Sequence, residues 1–264
     1  MTSTTTSRPD VFEGVDPAVR ARTKKMLMYF IIFAVVMMFA GFTSAYIVLN
    51  MGKFWVHAAA PDALWWSLAF LAASSATAIV ALRQMRAGSK NGTLIALGVT
   101  LALGVAFTLS QSAGWRALSD LGLGFTVTTT ESGLEAYRWN SIKDLVDGPA
   151  VYGVDYTVTV NDEPLLFDPV RKEFYMPDDQ LMAQPITPDV TRTSNLGSGL
   201  LWVLMAIHIL HLVFGFIYLV VNGIRVFQGT IHAGDTVRLQ TMNTYWHFLG
   251  ILWLYLFGFL FLMN

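Results

Sequence analysis

The sequence predicts an all-α membrane protein, a five-transmembrane-helix bundle with a small β-containing insert outside the bilayer. Three observations predict it. Hydrophobic residues make up 54% of the 264 and charged residues only 13%, a balance outside that of soluble globular chains. Five runs, residues 27–49, 64–82, 93–113, 199–221 and 245–263, contain no Asp, Glu, Lys or Arg, and each approaches the 20 or so apolar residues that cross a hydrocarbon core of about 30 Å. Between the third and fourth runs the composition changes to a long stretch carrying Asp144, Asp147, Asp155, Asp162, Glu163, Asp178 and Asp179.

The chain therefore divides into an amino-terminal segment 1–25, three spans in 26–115, an insert over 116–195 and two spans in 196–264. Asp16 followed by Pro17 reads as an N-cap and a first helical residue, so a helix begins there and runs into the first span. Residues 1–8, rich in Ser and Thr, are predicted disordered. Arg20, Arg22, Lys24 and Lys25 precede the first span, and Arg83, Arg86 and Lys90 join the second to the third. These cations mark the cytoplasmic side, which places the carboxyl terminus and the insert outside. The first apolar run is too long for a signal peptide, and its leader carries Asp10, Glu13 and Asp16.

Within the insert, "DYTVTVNDEPLLF" alternates like a strand and then meets Asn161 and Asp162, a turn signal. A loop of this length is functional or disordered. Its acidic face suits a basic partner, and the competing reading is a solvated lid. The absence of cysteine removes disulfides, thiolate metal sites and thioether-linked haem. A net charge of −1 argues against nucleic acid, which needs an excess of cations.

Membrane helices associate through small residues and interhelical hydrogen bonds, so packing faces should be visible as stripes. In the fourth span His208, His211, Gly215, Tyr218 and Asn222 share a face, opposite Val213, Ile217 and Leu219. The other predicted stripes are His247, Gly250 and Gly258 in the fifth span, Gly104, Thr108 and Gln111 in the third, and Ser67, Ser74 and Ala78 in the second.

The histidines admit several chemistries. His208 and His211 stand three apart and could share a weak metal site, although the spans add only His247 to the ligand set. A bis-histidine haem anchor for electron transfer would pair His208 with His247 across facing helices. A proton relay lacks intramembrane carboxylates. Ser198 in "GSG", near His208, is a candidate hydrolase nucleophile with no orienting carboxylate evident. The reading favoured by residue type is hydrogen bonding between helices.

Longer stretches carry a resemblance. "TYWHFLGILWLYLF" and "HILHLVFGFIYLVV" resemble subunit III of the haem-copper cytochrome oxidases. Tyr245, Trp246, His247, Phe248 and Trp253 match its last-helix signature, and His208, His211 and Gly215 match the preceding helix. "VVMMFAGFTSAY", "SSAT" and the set Leu103, Gly104, Phe107 and Gln111 are similar to earlier family motifs, so all five spans are covered. The chain departs from the family at Val35, Gly114 and Gly250, where carboxylates are usual, at Ile209, which replaces a glycine, and in the length of its insert.

The resemblance implies a non-catalytic subunit of a cytochrome c oxidase of the aa3 type, multi-pass in a bacterial cytoplasmic (inner) membrane with its insert periplasmic. It implies no redox centre, metal or cofactor in this chain. Haem and copper belong to partner subunits I and II, phospholipid fills a cleft, and the subunit supports oxygen entry and sustained turnover. His208, His211, Gly215, Tyr245, Trp246, His247, Trp253 and Gln111 are the expected structural and cleft-lining residues. A further respiratory complex or a cytochrome c domain is a candidate partner of the insert. The choice of cytochrome c or quinol as electron donor lies in other subunits.

Overall fold

Asp16 opens the first helix as expected: its carboxylate accepts from the Ala18 N–H at 2.8 Å, with Pro17 in the first turn. The computed structural model describes residues 16–51, 53–129, 135–139, 141–193 and 196–262, giving the backbone alone for Pro17, residues 125–129 and 135–139, and Ser198. The stretch predicted disordered, residues 1–8, lies outside them. The structure is 69% helical. Its five long helices, α1 (Pro17–Asn50), α2 (Asp62–Arg86), α3 (Lys90–Asp120), α6 (Leu196–Phe227) and α7 (Val237–Phe261), contain the first four apolar runs and residues 245–261 of the fifth, and are long and apolar enough to cross a membrane. The short helices α4 (Ile142–Asp147) and α5 (Thr187–Arg192) belong to the insert.

Successive long helices alternate in direction. All the basic clusters therefore fall at one end of the bundle, where Lys90 lies 5.6 Å from the Phe227 ring. At that end Gly88, with φ +78, ends α2 in a left-handed conformation that a side chain would resist. Ser89 then caps α3 by accepting from the Gly92 N–H at 3.2 Å.

Around α7 the helices α2, α3, α6 and α1 form an arc that is open between α1 and α2. On α3 the buried set Thr93, Ala96, Thr100, Gly104, Phe107, Gln111, Gly114 and Leu118 recurs at threes and fours, the spacing of one helical face. On α6 the buried line runs Leu201, Leu204, His208, Leu212, Gly215, Leu219 and Asn222. Leu219, expected on the outer side, is thus a core residue. The stripe drifts so that 212 and 219 fall on it, while His211 and Tyr218 are half-buried at its margin. Ser67, Ser74 and Ala78 are buried as expected. Gly258 is not a packing point, because a Cβ there would meet nothing within 4 Å. Phe30, Phe33, Ile95, Leu109, Ile217 and Leu254 are exposed, and so extensive an apolar exterior needs cover from lipid or protein.

A cap sits on the other end. Its main sheet has the order β1–β4–β5, from β1 (Trp55–Ala58), β4 (Tyr156–Val160) and β5 (Glu163–Pro164). β2 (Phe125–Thr129) pairs with β3 (Glu135–Trp139), and β6 (Leu166–Asp168) with β7 (Glu173–Tyr175). The strand and turn expected in the insert are present. Asn161 and Asp162, at φ 51 and 66, make the two-residue connection with positive φ at both positions that suits a hairpin's twist.

Two boundaries differ from expectation. α3 continues to Asp120, past residue 116, and β1 comes from the short α1–α2 loop, so the cap is built from two separate segments. Trp55 is opposite Thr159 and Ala58 opposite Tyr156 in the β1–β4 register. The buried core continues into the cap through Ile142, Leu145, Tyr156, Val158, Phe174 and Val190. Trp55 pins the cap to the bundle. Its Nε1 donates to the Tyr46 hydroxyl at 3.0 Å, and its ring lies over Gly197, where an added Cβ would come within 2.9 Å.

Candidate functional site

A line of hydrogen bonds joins the helices inside the bundle. Ser67 Oγ donates to the Leu64 carbonyl of its own helix, and accepts from Gln111 Nε2 at 2.9 Å and from Trp253 Nε1 at 3.2 Å. One hydroxyl thereby uses its donor and both lone pairs, joining α2, α3 and α7. One turn-pair further along α2, Ser74 accepts from Trp246 Nε1 at 3.2 Å and donates to the Leu71 carbonyl at 2.9 Å. Thr77 and Thr100 share a bond of 2.8 Å. On α1, Thr43 accepts from the Tyr255 hydroxyl at 3.1 Å. Tyr245 donates to the His211 carbonyl at 3.3 Å.

Among the described residues the hydrogen bonds between helices thus come from Trp, Ser, Thr, Gln and Tyr rather than from the imidazoles. His208 is 1% exposed. It stacks on Trp253 with ring centroids 5.3 Å apart and meets the edge of Phe107; its Nδ1 has no partner among the described residues. His211 Nδ1 pairs at 2.8 Å with the Ile207 carbonyl of its own helix, and the ring tilts against Phe39 of α1. His247 points elsewhere and lines a cavity between α2 and α7. The rings do not converge, and among the described residues no three His, Asp or Glu side chains gather as a metal site. A porphyrin between His208 and His247 would have to displace Trp253 and Phe107. Ser198 falls in the first turn of α6, and its side chain lies outside the described residues.

The departures at Val35, Gly114 and Gly250 have distinct surroundings. Val35 is buried on the inner stripe of α1. At Gly114 a Cβ would come 2.4 Å from Leu64 Cδ2, so Leu64 fills the place of a side chain. At Gly250 a Cβ would make ordinary contacts of 3.5 Å with Leu71 and Ser75, beside open space.

That space is a groove with α7 as its floor and α1 and α2 as walls. Its α2 side is a cavity of about 450 Å³ lined by Leu68, Leu71, Ser75, His247 and Gly250. Its α1 side, about 340 Å³, is lined by Val36, Phe39, Phe248, Leu252 and Tyr255. Ile251 borders both. With no Asp, Glu, Lys or Arg lining either cavity, the groove suits uncharged, largely apolar occupants. At the basic end a cavity of about 100 Å³ has Lys25, Tyr29, Gln240 and Thr244 on its walls.

In the cap, His57 Nε2 pairs with Thr159 Oγ1 at 2.9 Å. Burial pushes its pKa below the ordinary value, against a smaller upward pull from Asp162. Burial raises Tyr156 to about 12, with Tyr152 adding to the shift. The residues that sequence reasoning passed over are the acceptors: Ser67 and Ser74 appeared as small packing residues. The signal for their role was present in two α7 tryptophans whose indole N–H groups need partners once buried. No known protein-family model matches this chain, and no curated protein matches it.

Proposed function

We propose that this chain is the non-catalytic third subunit of an aa3-type haem-copper respiratory oxidase, in the cytoplasmic membrane of a bacterium. The observation that carries the reading is the meeting of separate motif residues in one network. Trp246 and Trp253 of the Tyr-Trp-His-Phe helix bond to Ser74 and Ser67, while Gln111 of the third helix joins at Ser67. Residues that carry the resemblance from three stretches of sequence thus depend on one another physically, which supports reading them together.

In this role the chain performs no electron transfer. Subunits I and II hold the haems and copper, reduce oxygen to water and couple that to proton translocation. This chain packs beside them, and its groove takes phospholipid acyl chains and offers an apolar route toward the catalytic subunit for oxygen. The amino terminus is cytoplasmic; the carboxyl terminus and the acidic cap are periplasmic, where the cap faces a further respiratory complex or a cytochrome c domain. Lys25 and its basic neighbours lie at the level of anionic headgroups.

The test is purification under mild detergent followed by mass spectrometry of the intact assembly. The chain is expected to travel with larger haem-bearing subunits and to show no haem absorption when isolated. A stoichiometric haem spectrum from the isolated chain would overturn the assignment in favour of an electron-transfer anchor.

A further inference from the structure

On the α1 side of the groove the Tyr255 hydroxyl is already given to Thr43, whereas the α2 side carries two further hydrogen-bonding groups. Ser75 and His247 are set among Leu68, Leu71, Ile251 and Leu254. Both are half-buried, and His247 Nε2 finds no partner among the described residues. That nitrogen is buried, and the residue that carries it lines the cavity. A half-turn of the imidazole about Cβ–Cγ exchanges Nε2 with Cε1, an orientation set by hydrogen bonding rather than by shape. An occupant that supplies a polar partner therefore decides how the ring sits.

Depth restricts what that occupant can be. Ser75 lies 13 residues past Asp62 and 11 short of Arg86 on α2, about 20 and 17 Å from the two ends along the helix. His247 is similarly central on α7. If these helices span a bilayer, on which the inference rests, the two groups sit near its midplane. A phosphate or carboxylate headgroup is too costly there; a neutral carbonyl or hydroxyl is not. The cavity, about 450 Å³, is within the range of small-molecule sites, and it opens sideways along the apolar face of α7, where Ile251 and Leu254 are 68% and 58% exposed.

The geometry points to a binding site between α2 and α7 for a neutral, membrane-soluble ligand with a hydrogen-bonding ring and an apolar tail, the chemistry of an isoprenoid quinone. The ring occupies the Ser75–His247 cavity, with one oxygen pairing with the imidazole and another within reach of the serine hydroxyl. The tail lies along Ile251 and Leu254. Gly250 forms part of the floor, and a larger side chain there would take up the ring's space.

The experiment uses the whole detergent-solubilised assembly, with decylubiquinone and dioleoylphosphatidylcholine as probes and retention read by native mass spectrometry. Wild type is expected to hold decylubiquinone in the presence of excess phosphatidylcholine. Ser75→Ala and His247→Phe are each expected to weaken that retention by about tenfold, the worth of one good hydrogen bond, and His247→Gln is expected to keep most of it. Ser75→Ala is mild enough to fold where His247→Phe fails. Unchanged retention in both Ser75→Ala and His247→Phe, or full displacement of decylubiquinone from wild type by phosphatidylcholine, overturns the site. Co-purification with haem-bearing subunits is scored separately. Quinone held by a chain with no such companions sinks the oxidase reading and leaves the site standing, and the reverse result does the opposite.

Discussion

Ser67 is the residue on which the interior turns, because among the described residues its hydroxyl is the acceptor for two donors from two other helices. Ser67→Ala leaves the Gln111 amide and the Trp253 indole without their acceptor, at about 1–3 kcal/mol for each buried group left unpaired. Thermal unfolding of the assembly should fall accordingly, with loss of this chain from the complex on washing; an unchanged midpoint would remove Ser67 from that role. His211 makes the opposite case. Its ring bonds only within its own helix and brushes Phe39, so His211→Leu is expected to cost less than about 1.5 kcal/mol, in the range of a volume-tolerant swap. Under the proposed role the optical spectra of the haem-bearing partners should not change, and loss of a metal signal would contradict the packing role. At Gly114 a larger side chain has no place, because Leu64 already stands in its space.

At the scale of elements, α7 is the central post. It is bonded to α2 through both tryptophans and to α1 through Tyr255. The β1–β4 pairing ties the two halves of the cap, and His57 within it makes the cap sensitive to acid. Burial favours the neutral imidazole in the folded state, so unfolding or opening takes up a proton. The stabilisation is whole above the ordinary His pKa of about 6.5 and is lost as pH falls below it. Hydrogen exchange of the β1 and β4 amides should therefore quicken between pH 7.5 and 5.5, once corrected for intrinsic rates, and His57→Gln should flatten that dependence. Equal acid sensitivity in the variant would assign the effect to other groups. The turn at Asn161–Asp162 and the N-cap at Asp16 were legible in the sequence, since each depends on a few adjacent residues. The β1 strand was not, because Trp55–Ala58 is too short to show a pattern and becomes a strand by pairing with residues about 100 positions away.

For the whole molecule, the alternating helices put every basic cluster at one end and the acidic cap at the other. The chain lacks cysteine, so single cysteines can report sidedness directly. Lys90→Cys should react with an impermeant maleimide only after the cytoplasmic face is opened, and Val170→Cys, at a position 91% exposed in the cap, should react from the periplasm in intact spheroplasts. Reversed labelling would invert the proposed topology. Sequence reasoning found most of the packing faces because threes and fours recur within each helix. It misphased α6, where Leu219 is in the core and His211 at the margin, because polar residues were taken to mark the inner face. The candidate site was legible only in its parts: Trp246, Trp253, His247 and Gln111 were visible, but not Ser67 as the acceptor shared by Trp253 and Gln111, nor Ser74 as the acceptor for Trp246.

The sequence by itself determined that there are five long helices, where the first one begins, where one hairpin turns, and that thiol chemistry is missing, because run length, capping residues and composition are local properties of the chain. The tertiary structure alone decided that α7 stands at the centre, that serines of α2 receive its tryptophans, and that a groove opens between α1 and α2. Those outcomes depend on which side chains from distant segments fill the same volume and satisfy the same buried N–H groups, and no periodicity within a single helix encodes its neighbour.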